Sequence, residues 1–118
     1  MKPQSSKAKG RRTQQYVRDL ILENFPELEP DDVKSTGMGQ GGEDIQLSPY
    51  ARKFVPLSFE CKARKSFAFY KDMDQANANC KEGLEPVLVC KADRKKPVAI
   101  VDLGYFIRLV RAAKESVK

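Results

Sequence analysis

Two short stretches of the chain bring carboxylates and an ammonium group into positions from which they could act together. If 57–62 (Leu-Ser-Phe-Glu-Cys-Lys) is an extended strand, its side chains alternate between two faces, and Glu60 and Lys62 share one face. Upstream, Asp44 takes the polar face of a second such stretch at 42–47. Two carboxylates on adjacent strands repel each other unless a cation lies between them, and carboxylate oxygens are ligands that Mg²⁺ prefers. The pattern predicts phosphodiester hydrolysis, with Asp44 and Glu60 holding the metal and Lys62 contacting a phosphate or a metal-bound hydroxide.

These residues carry a resemblance to a known family. The segments 42–44 (Gly-Glu-Asp) and 60–62 (Glu-Cys-Lys) resemble the motif of the PD-(D/E)XK nuclease superfamily, in particular its small phage and archaeal Holliday junction resolvase-like members. Glu43 stands where the superfamily's name has proline. The resemblance extends over residues 11–110 of the chain.

The resemblance implies a metal-dependent DNA endonuclease, selective for branched DNA such as Holliday junctions. It implies Mg²⁺ as the cofactor, with Mn²⁺ able to substitute, and a ligand set of Asp44, Glu60 and the backbone carbonyl of Cys61. Gln75, on the helix that follows, is expected to complete the catalytic set by touching a phosphate or a metal-bound water. We also expect a homodimer, because resolving a junction requires two opposed cuts and a two-fold protein matches that symmetry.

A first helix is predicted over 12–25, where apolar residues fall on one stripe. Related resolvases often place a glutamate from this helix near the metal. The matching positions here are the glutamines Gln14 and Gln15, and Glu23 is the acid late in the helix. Which of the three, if any, completes the site is left open by the sequence.

Composition narrows the classes of chemistry. The chain has 118 residues and no histidine, which excludes Ser-His-Asp and Cys-His nucleophilic catalysis and histidine-ligated zinc. Its three cysteines are odd in number and lie in apolar patterns, so we expect reduced core residues. Together with the lack of a membrane-spanning or signal-peptide pattern, this predicts a cytoplasmic protein, in the host cytoplasm if the chain is viral.

The net charge of +6 is concentrated at the N-terminus. We expect residues 1–10 to form a disordered basic arm that contacts phosphate, ahead of a single nuclease-like domain at 11–118. The alternative is a tail that only keeps the protein in solution. The basic residues expected to contact nucleic acid are Lys7, Lys9, Arg11, Arg12, Arg52, Lys53, Arg64 and Lys65.

The elements that must position these side chains follow from hydrophobic periodicity. After the first helix, they are strands at 33–36, 42–47 and 57–62, a helix at 67–81, strands at 86–91 and 97–103, and a helix at 105–114. The predicted order is α-β-β-β-α-β-β-α. It describes an α/β fold with a mixed central β-sheet of about five strands flanked by helices, the restriction-endonuclease-like architecture that the resemblance implies.

Several details of burial and connection are predicted as well. The two apolar strands at 86–91 and 97–103 are both expected at the centre of the sheet. The glycines of 37–42 are expected to form a flexible loop ahead of Asp44. The segment 48–56 joins the two strands, either as a plain connecting loop or as a contact for nucleic acid or a partner subunit through Tyr50, Arg52, Lys53 and Phe54. The apolar stripes expected in the core are Phe69, Met73, Ala76 and Cys80 in one helix, and Phe106, Ile107 and Val110 in the last.

Two other functions compete with the nuclease. One is a catalytically inactive nucleic-acid-binding module in which Glu60 and Lys62 form only a surface ion pair. The other is an RNA-binding or ribosome-associated protein, which rests on charge alone. Neither explains why Asp44 and Glu60 should face the same side of a sheet.

Overall fold

A computed structural model of the chain describes residues 3–36 and 42–116. The helices are α1 (Pro3–Asn24), α2 (Pro49–Phe54), α3 (Phe69–Ala78) and α4 (Leu103–Ser116), and a 3₁₀ turn covers Pro30–Asp32. The strands are β1 (Val33–Ser35), β2 (Ile45–Leu47), β3 (Leu57–Ala63), β4 (Glu85–Lys91) and β5 (Val98–Ile100). The glycine-rich loop predicted ahead of Asp44 lies, over residues 37–41, outside the described residues.

The α/β class is confirmed, with the described strands divided between two sheets. β1 and β2 pair antiparallel, whereas β3 pairs parallel with β4, and β4 pairs antiparallel with β5. The parallel pair is joined through α3, as a parallel connection requires. A backbone hydrogen bond of 2.9 Å from the Asp44 N–H to the Phe59 carbonyl links the two sheets. The expected single sheet of five strands is therefore split beside Asp44.

The segment at 48–56, for which the sequence predicted no helix, contains the short helix α2. The Ser48 hydroxyl accepts a hydrogen bond of 3.0 Å from the Ala51 N–H, and Pro49 occupies the first turn. Ala51 is fully buried and anchors α2 to the core. The observed order is thus α-β-β-α-β-α-β-β-α, because a six-residue helix is too short to show hydrophobic periodicity.

Helix α1 begins at Pro3, where the sequence pattern predicted a disordered arm over residues 1–10. Lys9 and Gly10 are half-buried, and the Lys9 ammonium lies 3.0 Å from an Asp93 carboxylate oxygen. The difference arises because these residues lack an apolar stripe of their own but meet the turn after β4. A tertiary contact of this kind leaves no periodic signal in the sequence.

The hydrophobic core lies between α1 and the adjoining sheets. It includes Val17 and Ile21 of α1, Val33, Ile45 and Leu47 of the first sheet, Ala51 and Val55, and Phe59, Val87 and Val89 of the second sheet. Helix α3 packs on β3 and β4 and covers the strand face that carries Glu60. The strand β3 is therefore covered on both faces, and the shared face of Glu60 and Lys62 is not a solvent surface.

Helix α3 also differs from its predicted packing. Ala76 is buried and Met73 and Cys80 are half-buried as expected, but Phe69 is exposed. Asp72 takes a buried position instead, because Arg64 donates two hydrogen bonds, of 3.0 and 3.1 Å, to its carboxylate. A paired carboxylate can occupy a position that periodicity assigns to solvent.

The last strand and helix depart furthest from expectation. β4 is central and buried from Val87 to Cys90, but β5 is an edge strand with Val98 exposed. Within Leu103–Ser116, every residue apart from the half-buried Tyr105 is exposed. The prediction that Phe106, Ile107 and Val110 are buried is wrong for the single chain, because their stripe turns away from the domain.

Candidate functional site

Asp44 is held at the junction of the two sheets by its own backbone. Its carbonyl accepts a hydrogen bond of 2.8 Å from the Thr36 N–H, and its N–H donates to the Phe59 carbonyl. The Thr36 hydroxyl also donates to the Glu43 carbonyl at 2.8 Å. These bonds place the Asp44 carboxylate beside the edge of β3, where its Oδ2 accepts a hydrogen bond of 2.6 Å from the Cys61 N–H.

Glu60 projects from the middle of β3 towards α3. It is 5% exposed, and its two carboxylate oxygens have different partners. Asn79, at the C-terminal end of α3, donates to Oε1 at 3.1 Å, and the Lys62 ammonium lies 3.5 Å from Oε2. The predicted alternation of β3 therefore brings Glu60 and Lys62 together.

The two carboxylates influence each other electrostatically. Burial raises the pKa of Asp44 from its ordinary value of 3.8 to about 6. The Cys61 N–H opposes the rise, the negative charge of Glu60 adds to it, and the Lys62 ammonium counteracts it. The Cys61 thiol has a raised pKa as well, through burial first and then the charges of Asp44 and Glu60. Negative charge is thus confined in a partly desolvated space, which favours a cation there.

The register of β3 directs a further oxygen ligand to the same place. In a parallel ladder, alternate residues of a strand bond to opposite neighbours. The Glu85 N–H bonds to the Pro56 carbonyl, and the Arg64 N–H to the Lys91 carbonyl, so the even-numbered residues of β3 pair with β4. The N–H and carbonyl of Cys61 therefore face the edge occupied by Asp44, as its bond to Asp44 confirms.

These groups fit a Mg²⁺ ion in chemistry and charge. Asp44, Glu60 and the Cys61 carbonyl would supply three hard oxygen ligands. The other positions around the ion would be left for water and substrate phosphate, which Mg²⁺ usually keeps. Among the described residues, no cluster of three or more His, Cys, Asp and Glu side chains is placed to hold a metal. A site here depends on the backbone carbonyl and on ligands from outside the chain.

Gln75 does not reach this site in the described contacts. Its side chain is exposed, whereas Asn79, one helical turn later, binds Glu60. Asn79 has the property that singled out Gln75, an uncharged amide that adds no negative charge. On α1, Gln14 is buried, while Gln15 and Glu23 are exposed, which leaves Gln14 as the residue of the three within the fold.

Glu43 forms a second buried charged group next to the site, which the sequence did not reveal. Its Oε1 lies 3.1 Å from the Lys81 ammonium and 3.7 Å from the Arg52 guanidinium, yet neither carboxylate oxygen makes a well-directed hydrogen bond. The charges of Lys81 and Arg52 stabilise the buried carboxylate. Because Glu43 precedes Asp44 directly, this cluster ties the Asp44 backbone to α2 and to the segment that follows α3.

The basic residues predicted to contact nucleic acid fall into two groups. Those committed to ion pairs are Lys9 with Asp93, Arg52 with Glu43, and Arg64 with Asp72. Those that are exposed and form no ion pair in the described ranges are Lys7, Arg11, Arg12, Lys53 and Lys65. The second group is free to meet phosphate without breaking a contact of the fold.

Comparison with protein-family models, with curated proteins and with solved structures returned no match for this chain. Across residues 3–36 and 42–116, no helix combines the length and hydropathy that crossing a lipid bilayer requires. All three cysteines are free. The function of the chain must therefore be inferred from the geometry around Asp44 and Glu60.

Proposed function

We propose that the protein is a metal-dependent DNA endonuclease that hydrolyses phosphodiester bonds, with branched DNA such as Holliday junctions as its substrate. The observation that carries the proposal is that Asp44, at the edge of β3, lies close enough to Glu60 and Lys62 on the adjoining face for their charges to act on its carboxylate. The Asp44 carboxylate accepts the Cys61 N–H at 2.6 Å, and on the adjoining face the Lys62 ammonium lies 3.5 Å from Glu60.

In such an endonuclease, each of these residues would have a role that follows from its contacts. Asp44, Glu60 and the Cys61 carbonyl would hold Mg²⁺, for which Mn²⁺ substitutes. When bound, the ion would lower the pKa of a coordinated water and offset phosphate charge. Asn79 fixes the orientation of Glu60 through Oε1. Lys62 keeps a compact ammonium near the same carboxylate and would stabilise negative charge that develops on the phosphate.

The competing function is a nucleic-acid-binding module without catalysis. It is favoured by the lack, among the described residues, of a cluster of three or more metal-binding side chains. In that case the Lys62–Glu60 pair only offsets the burial of Glu60. The two functions differ in their response to Mg²⁺, which the inactive module would not need.

The test is a cleavage assay on a four-way junction, a flap, a linear duplex and a single strand, in Mg²⁺ and in EDTA. We expect the wild type to cut the junction in Mg²⁺ alone. Glu60→Gln should slow cutting by ~10²-fold or more while leaving DNA binding intact. Glu82→Gln, a change of the same kind at an exposed residue, is the matched control. A wild type that cuts none of the four DNAs, or full activity in Glu60→Gln, would exclude the nuclease.

We further propose that the protein is a homodimer and that the outward stripe of α4 is its interface. Leu103, Phe106, Ile107 and Val110 recur at helical spacing on one face and are between 49% and 73% exposed. With Leu109, they form an apolar patch on the order of 500 Å², at the upper end of what a monomer leaves uncovered.

A second copy of the chain fits this patch by charge as well as by hydropathy. Asp102 precedes the helix and Lys114 lies in its last turn. Two copies of α4 packed antiparallel about a two-fold axis would bring each Asp102 near the Lys114 of the other copy, with the helix dipoles opposed. Such a dimer would give the two opposed cuts that a junction requires.

The cellular location belongs to the same proposal. A DNA endonuclease with three free cysteines belongs in a reducing compartment, so we place the protein in the cytoplasm.

A further inference from the structure

A pocket of about 540 Å³ lies between α1 and the C-terminal ends of β3 and β4. Its volume is in the range of small-molecule and cofactor sites. It is lined by side chains of α1, by Ala63 and Lys91 at the strand ends, and by the turn that carries Arg94 and Pro97. It is separate from the carboxylate site, and none of its walls is formed by Asp44, Glu60 or Lys62.

The charge of the pocket is strongly positive. Lys9, Arg12, Lys91 and Arg94 line it, against one carboxylate, Asp93, to which Lys9 is paired at 3.0 Å. Arg12 and Arg94 form no ion pair among the described residues. The pKa of Asp93 is lowered, first by the hydrogen bond from Lys9 and then by the charges of Lys9, Lys65 and Lys91. The charge of this pocket therefore favours an anionic ligand.

The remaining walls of the pocket are apolar and include an aromatic ring. Tyr16 is 48% exposed and lines the cavity together with Pro97 and Ala63. An anion such as free phosphate would leave this surface in contact with water. A nucleotide matches both the apolar wall and the positive charge of the pocket, because its base can stack on an aromatic ring while its phosphate contacts arginine and lysine.

The pocket and the carboxylate site lie on opposite faces of β3. Ala63, which lines the pocket, directly follows Lys62 in the strand, but its side chain faces α1 whereas Glu60 faces α3. The pocket is therefore a second site beside the end of the strand, and its ligand need not touch the carboxylates.

We infer that this pocket binds one unstacked nucleotide of a single-stranded segment, with its base against Tyr16 and its phosphate among Arg12, Lys91 and Arg94. The inference deepens the proposed nuclease function by naming the feature of branched DNA that is recognised. In duplex DNA the faces of the bases are stacked, so only the backbone can contact this pocket. The single-stranded nucleotides at a branch point or flap can contact it with both base and phosphate.

The test measures binding, by fluorescence anisotropy in EDTA, of a labelled five-nucleotide dT oligomer and of a short duplex. Because no cleavage occurs in EDTA, the result does not depend on whether the protein is a nuclease. Tyr16→Leu keeps the apolar bulk and removes the aromatic ring. Tyr50→Leu changes a tyrosine of matching exposure, 47%, on α2. Arg94→Gln is paired with Arg111→Gln on α4.

We expect Tyr16→Leu to weaken binding of the oligomer about tenfold and to leave duplex binding unchanged. Arg94→Gln should reduce the slope of log K against log salt for the oligomer by ~0.7. Neither control should differ from the wild type, and thermal melts should show all four variants folded. No binding of the oligomer by the wild type, or equal losses in Tyr16→Leu and Tyr50→Leu, would overturn the inference.

A competition with dTMP separates a strand from a free nucleotide. We expect dTMP to displace the oligomer only at concentrations far above the Kd of the oligomer, because a single nucleotide forms only some of the contacts that the oligomer forms. Displacement by dTMP at a concentration close to that Kd would show a site for free nucleotides and would overturn the assignment to a nucleic acid strand. Tyr16-dependent binding of the oligomer in a protein that cuts no DNA would retain the pocket and remove only the nuclease.

Discussion

Replacing Asp44 by Asn should stabilise the metal-free protein at neutral pH. Asn retains an oxygen that can accept the Cys61 N–H bond but carries no charge beside Glu60. The pKa of Asp44 is raised from 3.8 to about 6 in the fold, so the folded protein holds a proton that the unfolded chain releases between these values. In the wild type, the stabilisation from this bound proton is complete below pH 4, falls as the pH rises through about 6, and is absent above it, so the gain from Asp44→Asn appears only above that range.

The size of the effect follows from the same values. The difference between 3.8 and about 6 corresponds to ~3 kcal/mol if fully expressed. Because Asp44 is only half-buried and water screens its charge, we expect ~1–2 kcal/mol of unfolding free energy. Asp32 and Asp93 have lowered pKa values, so their contributions are lost only as the pH falls below their ordinary range, outside this window.

The assay is denaturant unfolding of the wild type and of Asp44→Asn in EDTA at pH 4 and pH 8. The variant should gain ~1–2 kcal/mol over the wild type at pH 8 and nothing at pH 4. Asp74→Asn, at an exposed carboxylate of α3, should follow the wild type at both values. In a second arm at pH 8, Mg²⁺ at 100 times its Kd should stabilise the wild type by ~2.7 kcal/mol and the Asp44→Asn variant far less.

Two results would refute the reasoning. Equal stability of Asp44→Asn and wild type at pH 8 would show that burial of the Asp44 charge, with Glu60 nearby, does not destabilise the fold. Equal stabilisation of both proteins by Mg²⁺ would show that the ion binds elsewhere. Neither result depends on finding the DNA substrate.

Three further changes test other parts of the proposal. Lys62→Met should keep Mg²⁺-dependent stabilisation but slow single-turnover cleavage of a junction by ~10²–10³-fold, and full activity would end its catalytic assignment. Asn79→Leu removes the amide that holds Glu60, so it should lower the affinity for Mg²⁺ measured by thermal melts; unchanged affinity would make Asn79 irrelevant to the site. Ile107→Lys should convert a dimer into a folded monomer in light scattering after size exclusion, whereas Arg111→Gln should remain dimeric; a monomeric wild type would exclude the α4 interface.

The alternation within β3 was enough to predict the central part of the site. Period-2 spacing placed Glu60 and Lys62 on one face, and the structure brings them within 3.5 Å. Asp44 beside this strand was predicted from the same alternation in a neighbouring stretch. Such patterns are local, so the sequence of a single strand is enough to assign its side chains to one face or the other.

The partners of those faces could not be predicted in the same way. An amphipathic pattern in α4 shows that an apolar stripe exists but not whether the covering surface belongs to the same chain. Asn79, rather than Gln75, meets Glu60 because the end of α3 approaches β3. The choice between two amides one turn apart depends on a helix position that periodicity does not give. The buried Glu43 and Asp72 depend in turn on distant cations, Lys81 and Arg64.

The junction between the two sheets also bears on self-association. A strand edge with free N–H and carbonyl groups is a template for pairing with another chain, and natural proteins often block such edges with charge. Beyond Phe59, the Asp44 side chain lies against the edge of β3. Its carboxylate accepts the hydrogen bond of the Cys61 N–H and places a negative charge at this edge. Asp44, which we propose as a metal ligand, therefore also blocks pairing of this strand edge with another chain. An apolar substitution at Asp44 would expose an aggregation-prone strand in addition to removing a ligand.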